Sequence, residues 1–139
     1  MVKTLLLFIS LSLATFAFDK SVSSGEIMGT ATCPVCNMKI KKYYKTSHAV
    51  KHKNGKKEHF CSMACLKEGK KSGDIVYVAN ASTGKMIKAL SAIYVVGSDV
   101  SGTMGAKKSK IAFGSKSAAQ KFQKKHGGVI MNYSKALNK

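Results

Sequence analysis

The chain has 139 residues, and its basic residues, all lysine, outnumber its acidic ones 24 to 6, giving a formal charge of +18. Without arginine it lacks the bidentate guanidinium group with which nucleic-acid-binding proteins usually read bases, so nucleic acid is not expected as a partner. With few carboxylates and no nucleophile triad or phosphate loop in view, hydrolytic chemistry is poorly supplied. We therefore expect a non-enzymatic protein with a lysine-rich, solvated surface.

The N-terminus has the pattern of a signal peptide. Lys3 precedes an uncharged, mostly apolar run that ends at Phe18 and is too short to cross a bilayer comfortably. Small residues predict cleavage after Ala17, so that residues 1–17 are removed and residues 18–32 form a polar linker. We expect a periplasmic or secreted protein, and an uncleaved N-terminal membrane anchor is the alternative.

All four cysteines lie in two short clusters, Cys33-Pro-Val-Cys36 and Cys61-Ser-Met-Ala-Cys65. Such close pairs are typical of a metal site or a redox pair, and the proline favours a tight turn that points both sulfurs to one place. Thiolate with thioether suits Cu(I), whereas four thiolates alone also suit Zn(II). We expect a metal site. Disulfides and thiol-exchange chemistry are the alternatives, although the βαβ pattern of a thioredoxin-like enzyme is missing.

Between the clusters, Asn54-Gly55 predicts a β-hairpin with a two-residue type I′ turn. In that register Lys51 faces Glu58, and three of the four histidines share the cysteine-bearing face. Of these, His48 and His59 are candidate auxiliary metal ligands. The alternative is that they are ordinary exposed hairpin histidines.

A helix is predicted from Cys61 to about Lys71, with Cys61 at its N-terminus, where the helix dipole lowers the thiol pKa. Downstream, Ser115 is predicted to cap a second helix that ends at His126. The last residues are predicted to form a polar tail. Runs rich in β-branched and aromatic residues predict strands at 75–79, 86–87, 93–96, 110–113 and 129–133.

A weak internal repeat relates the two halves of the chain. Phe60-Cys-Ser62 and Phe113-Gly-Ser115 each follow a predicted strand and precede a helix, a glycine stop and another strand. We therefore predict an α+β fold with two small tandem ββα-type repeats packed side by side. The cysteine-bearing repeat is expected to span residues 33–73, and the second repeat residues 74–139.

Five stretches from Cys36 onward carry a family pattern: Cys36-Asn-Met38, Ser91-Ala-Ile-Tyr-Val-Val-Gly-Ser98, Thr103-Met104-Gly105, Ile111-Ala-Phe113 and Ala119 to His126-Gly-Gly128. These stretches resemble the NosL family, the copper-binding accessory proteins of nitrous oxide reductase maturation. The resemblance implies a periplasmic Cu(I) chaperone whose NosL-like domain spans residues 33–139, with Cys36, Met38 and Met104 at the copper site. Asn37 stands where the family has glycine, and Thr103 where it has proline.

The segment Phe60-Cys61-Ser62-x-x-Cys65 also resembles a TRASH-type metal-binding finger, which pairs such a segment with an upstream cysteine. This second resemblance implies that Cys33, Cys61 and Cys65 are additional ligands. They would create a second metal site, a redox-protected site or a four-cysteine zinc site.

We predict an exported Cu(I) metallochaperone that delivers copper to a periplasmic cuproenzyme, with nitrous oxide reductase implied by the resemblance alone. Its partner would be that acceptor, or a copper-delivery complex at the membrane, attracted to the lysines through an acidic surface. The alternative is a zinc-stabilised, TRASH-like interaction or metal-sensing module in the cell envelope. The predicted metal ligands are Cys33, Cys36, Met38, Cys61, Cys65 and Met104.

Overall fold

Two small antiparallel sheets with helices packed on them form the computed structural model, which describes residues 32–102 and 108–139. The strands are β1 (His48–Lys51), β2 (Lys57–Phe60), β3 (Ile75–Ala79), β4 (Met86–Lys88), β5 (Ile93–Val96), β6 (Lys110–Phe113) and β7 (Val129–Asn132). The helices are α1 (Met63–Gly69), α2 (Lys116–His126) and α3 (Tyr133–Leu137), and short 3₁₀ segments span Ile40–Thr46 and Ala89–Ser91. The strand orders are β2-β1-β3-β4 and β6-β5-β7.

Both sheets are built on the same topology, which confirms the predicted α+β fold and its internal repeat. In each, the first strand lies between the second and the third, and a helix connects these outer two. The registers also correspond, because β1 pairs His48 with Phe60 and β5 pairs Ile93 with Phe113. The first sheet continues through β3 and β4, so we propose to divide the repeats between Lys88 and Ile93 rather than at residue 73.

The turn between β1 and β2 differs from the predicted two-residue turn. A type I′ turn needs positive φ at both central residues, but only Gly55 has it, with φ 83°. The N–H of His52 instead donates to Lys56 O at 2.9 Å, which leaves a three-residue loop. The side-chain oxygen of Asn54 accepts from the N–H of Lys56 at 3.0 Å and favours this longer turn.

The longer turn moves the hairpin register by one residue, so the predicted pair of Lys51 with Glu58 is wrong. Lys51 lies opposite Lys57, and His59 lies opposite Ala49. Since side chains alternate between the faces of a sheet, His59 and His48 point to opposite faces. The prediction that three histidines share the cysteine-bearing face is therefore also wrong.

His48 is fully buried where the two repeats meet. Its Nδ1 lies 2.9 Å from the carbonyl oxygen of Thr46 and must donate, so Nε2 accepts from the hydroxyl of Tyr94 at 3.4 Å. The rings of His48 and Tyr94 are parallel within 5°. Burial lowers the pKa of His48 to about 4 and keeps the imidazole neutral. The residue thus joins the two repeats with both nitrogens engaged.

His52 is held by two carboxylates at the end of the first hairpin. Its Nε2 lies 2.9 Å from Glu58 Oε2, and its Nδ1 lies 2.9 Å from Asp74 Oδ1. The hydrogen bonds to Glu58 and then to Asp74 raise the pKa of His52, so the ring carries both protons over a wider pH range. A doubly protonated imidazole has no lone pair for a metal. His52 instead connects the end of the hairpin to Glu58 and Asp74 by hydrogen bonds.

One hydrophobic core is shared by the two repeats, and a second core lies beneath α2. The shared core contains Val50, Phe60 and Leu66 from the first repeat with Tyr94 and Ala136 from the second. The second core contains Val95, Ile111, Phe113, Ala119 and Phe122. Within the described ranges, no helix is both long and apolar enough to cross a membrane.

The C-terminal residues form a helix, so the predicted polar tail is wrong. Asn132 caps α3 by accepting from the N–H of Lys135 at 3.0 Å. Tyr133 and Ala136 are buried against the shared core, and this tertiary contact stabilises a helix that is too short to form alone.

Acid should weaken the junction between the repeats through His48. Its pKa is about 4 when folded, against an ordinary 6.5, so the unfolded chain takes up the proton first. The neutral, buried ring therefore contributes roughly 3 kcal/mol to the free energy of unfolding above about pH 6.5. This contribution is lost as the pH falls toward 4. His48→Gln should therefore show a smaller loss in free energy of unfolding between pH 7 and pH 4.5, measured by urea titration. An unchanged pH dependence would contradict this role.

Candidate metal centre

The first cysteine pair lies in a tight turn that two backbone hydrogen bonds close. The N–H of Cys33 donates to Met38 O, and the N–H of Asn37 donates to Cys33 O, both at 2.8 Å. Asn37 has φ 58° and is the one non-glycine residue with positive φ in the parts of the chain that the structure describes. Asparagine tolerates this conformation better than most residues, which explains why it can replace the glycine of the family pattern.

The second cysteine pair flanks the start of α1. The helix begins at Met63 rather than at the predicted Cys61, because Ser62 is its N-cap and accepts from the N–H of Cys65 at 3.3 Å. The matching Ser115 caps α2 in the same way, so the repeat itself carried the signal for this helix start. The cap places Cys65 in the first turn, with its sulfur 3.7 Å from that of Cys61.

The structure brings all four cysteines together. Their Sγ atoms lie within 4.8 Å of one another, and those of Cys36 and Cys61 are 3.4 Å apart. Four sulfurs bound to one ion at about 2.3 Å form a tetrahedron with edges of about 3.8 Å, so the cluster has the dimensions of a single-metal site. In the described part of the chain, no histidine or carboxylate belongs to this group.

The four thiols differ in their exposure. Cys33 and Cys61 are 1% and 2% exposed, Cys65 is half-buried and Cys36 is exposed. One side of the cluster is therefore accessible to a metal donor or acceptor, while the opposite side is sealed by the protein. Such a site can exchange ligands through Cys36 without opening the fold.

The protonation of the thiols depends on their local environment. Burial opposes ionisation of Cys33, but hydrogen bonds from the backbone amides of Cys36, Cys61 and Val35 outweigh it and lower its pKa to about 7. Burial raises the pKa of Cys65 to about 11, and burial with the neighbouring Cys36 thiol raises that of Cys61. The prediction that the helix dipole lowers the pKa of Cys61 is wrong, because Cys61 precedes the helix and is buried.

Thr46 supports the cluster from behind and was not identified from the sequence. Its hydroxyl donates to the carbonyl oxygen of Cys61 at 2.9 Å, in a buried position. Its own carbonyl oxygen accepts from His48, so one residue connects the cysteine-bearing segment to the junction of the repeats. A lone threonine in a lysine-rich stretch offers no sequence signal for this role.

Besides the cysteines and His48, three other residues were predicted as candidate metal ligands, namely Met38, Met104 and His59. Met38 is half-buried and lies at the closing end of the cysteine turn, where its carbonyl oxygen accepts from Cys33. Met104 lies outside the described residues. His59 is partly buried on the face of the first sheet opposite to His48.

A family model for NosL matches residues 24–137. The chain belongs to the NosL family. Among solved structures, it is similar to the copper chaperone NosL from Shewanella denitrificans, with a TM-score of 0.61, 26% identity, and coverage of 76% of this chain and 88% of that one. No curated protein sequence gives a significant match.

The family match confirms the resemblance to NosL that the motifs indicated. The similar solved structure confirms the predicted α+β architecture. The NosL relative is described as a chaperone, and the expectation that this chain is not an enzyme is likewise confirmed. The four-cysteine cluster is the group in the described part of this NosL protein that could hold a metal ion.

The left-handed conformation of Asn37 gives a test of the cysteine turn. Asn37→Gly should preserve stability and metal affinity, because glycine adopts positive φ without strain. Asn37→Ala should lower the free energy of unfolding by about 1 kcal/mol, because its Cβ disfavours this backbone conformation. The measurement is denaturant unfolding of the two variants and wild type, with and without bound metal. Equal stability of the Ala and Gly variants would show that the turn does not have this conformation.

Proposed function

We propose that this NosL-family protein binds copper as Cu(I) and carries it to an acceptor protein. The observation that carries the proposal is the cluster of four cysteine sulfurs within 4.8 Å of one another. Soft thiolate ligands select Cu(I) over harder divalent ions. The solved relative from Shewanella denitrificans is named a copper chaperone, which supports the same cargo here.

The exposure of the cluster suits a carrier rather than a permanent metal site. Cys36 is exposed, so the sulfur of an acceptor can approach the ion from that side while Cys33 and Cys61 still hold it from within. Transfer would proceed by replacing one protein thiolate at a time, which avoids releasing free Cu(I). Ligand exchange of this kind needs an accessible edge, and the geometry supplies one.

Met38 and Met104 complete the proposed ligand set. Met38 is half-buried and follows Cys36 by two residues in the same closed turn, which supports it as a ligand beside the cysteines. The case for Met104 rests on its position in the family motif. Thioethers bind Cu(I) without adding negative charge and would help to hold the ion while thiolates exchange.

The proposed compartment and acceptor follow from the sequence and the family. We infer export through a signal peptide at residues 1–17, followed by a linker over residues 18–32 and the NosL-like domain over residues 33–139. The proposed acceptor is a periplasmic cuproenzyme such as nitrous oxide reductase, reached directly or through a copper-delivery complex at the membrane.

The partner surface is proposed to be acidic. Several exposed lysines lie close in sequence to the site cysteines, among them Lys39, Lys41, Lys42 and Lys67. One Cu(I) bound by two or three thiolates leaves a negative centre, and the lysines around it would attract an anionic partner to the exposed side.

A second candidate function has one observation in its favour. The number and spacing of the sulfurs also match a tetrahedral Zn(II) site, which would make the first repeat a zinc-stabilised interaction or metal-sensing module. Such a site contributes directly to folding, so removing zinc would unfold the cysteine-bearing repeat. It would need all four thiolates and neither methionine.

The two candidates are separated by competitive titration of the reduced protein with Cu(I) and with Zn(II). For the copper carrier we expect tight Cu(I) binding that Cys36→Ser weakens at least tenfold and Met38→Ala or Met104→Ala weakens less, because thioethers are the weaker ligands. Met131→Ala, a methionine outside the ligand set, serves as the control. Tight Zn(II) binding with weak Cu(I) binding, together with unfolding on chelation, would favour the zinc module.

The lysines near the site should accelerate copper transfer to anionic acceptors. Changing Lys39, Lys41, Lys42 and Lys67 to Glu should slow transfer to an anionic Cu(I) chelator and leave transfer to a neutral chelator nearly unchanged. The matched control changes four exposed lysines on α2, Lys116, Lys121, Lys124 and Lys125. Added salt should slow the wild-type reaction with the anionic chelator. Equal effects of both charge reversals would show that only the net charge matters.

A further inference from the structure

We propose that Cys36 and Cys61 are a redox modification site, which a low-molecular-weight disulfide such as oxidised glutathione converts to a reversible cross-link that prevents metal loading. The proposal rests on the copper-carrier function for its biological meaning, since it describes regulation of the same cluster. The bond itself is a separate chemical event that can be observed without any metal.

The geometry brings together a pair that spacing along the sequence would not suggest. Cys33-Pro-Val-Cys36 is the spacing of a local disulfide, but the exposed sulfur of Cys36 lies 3.4 Å from Cys61, which is 25 positions away. The other pair around α1 is farther apart, with 3.7 Å between the sulfurs of Cys61 and Cys65. Reaching a disulfide length of about 2.05 Å from 3.4 Å needs a small movement.

The surroundings of the two residues indicate which of them moves. Cys36 lies in an exposed turn, whereas Cys61 is held by the hydrogen bond from Thr46 to its carbonyl oxygen. Cys33 is 1% exposed and opens the turn, with its N–H and carbonyl oxygen both engaged in the hydrogen bonds that close it. The exposed turn can therefore bring Cys36 onto Cys61 without disturbing α1 or the core.

The same contrast in exposure sets the order of the chemical steps. The thiolate of Cys36 attacks one sulfur of oxidised glutathione, forming a mixed disulfide and releasing one glutathione thiolate. The thiol of Cys61 then loses its proton, and its sulfur attacks the Cys36 sulfur and displaces the second glutathione. The two cysteines lose two electrons and two protons, and both appear in the two molecules of reduced glutathione.

The cross-link would remove half of the thiolates from the cluster. Cys33 and Cys65 remain as thiols, so neither a four-thiolate site nor a site that includes Cys36 can form. Reduction by excess dithiol reverses the bond and restores all four ligands. Metal bound to the reduced cluster should in turn protect both residues, because a coordinated thiolate is not free to attack the oxidant.

The test treats reduced, metal-free protein with oxidised glutathione and maps the bond by trypsin digestion and mass spectrometry. Cys33 and Cys36 share the peptide of residues 21–39, and Cys61 and Cys65 share that of residues 58–67, so the proposed bond joins two peptides. The double variant Cys33→Ser/Cys65→Ser should form it at a rate within about twofold of wild type. Cys36→Ser should be oxidised about tenfold more slowly, because its accessible thiol is lost.

A bond confined to either peptide, or oxidation of Cys36→Ser as fast as wild type, would overturn the proposal. So would failure of the double variant to cross-link. The double variant and Cys36→Ser are compared by circular dichroism, so that loss of fold is recognised. Cu(I) binding by the reduced wild-type sample is measured in parallel. Its absence would count against the copper carrier while leaving the mapped bond, and therefore the modification site, intact.

Discussion

Four thiol groups lie close together in the first repeat, and a hydrogen-bonded turn and a helix cap hold them in place. A turn in which Cys33 donates to Met38 O and accepts from the N–H of Asn37 holds the first pair, and the Ser62 cap fixes Cys65 beside Cys61. Without a ligand, four close thiols that are partly buried are a poor substitute for a hydrophobic core, and their ionised forms repel one another. The arrangement is therefore understandable as a site prepared for a soft cation.

The second repeat shows what the scaffold looks like without this chemistry. Gly114 stands in the position of Cys61, and Ala118 in that of Cys65, although the strand, the serine cap and the helix are retained. A Cβ at Gly114 would lie 2.8 Å from the side-chain nitrogen of Asn80, so a cysteine there would collide with a neighbouring side chain. The second repeat instead supplies Tyr94 and α3, which help to form the shared core behind the cluster.

The sequence predicted the elements whose signals are local. The strand at 110–113 and the helix capped by Ser115 agree with the structure, because a short apolar run and a serine cap act within a few positions. The hairpin register was missed because Asn54-Gly55 is compatible with two loop lengths, and a side-chain hydrogen bond to Lys56 favours the longer one. The C-terminal helix was missed because a core contact made by residues distant in sequence stabilises it.

The cysteines of the candidate site could be predicted from the sequence, but their arrangement in space could not. The clustering of cysteines in sequence pointed to a metal, whereas the 3.4 Å approach of Cys36 to Cys61 depends on how the hairpin folds back onto the first turn. The same holds for Thr46, whose role exists only through the carbonyl of Cys61. Long-range placement of this kind cannot be inferred from spacing along the chain.

We proposed that the cysteine cluster binds copper, and X-ray absorption spectroscopy of the Cu(I)-loaded protein identifies the atoms that bind the ion. We expect a reduced copper edge and a first shell made only of sulfur at roughly 2.3 Å, close to metal–thiolate distances at other soft sites. A shell dominated by nitrogen or oxygen, or one unchanged in Cys36→Ser/Cys61→Ser, would contradict it, because the copper would then be bound away from these cysteines.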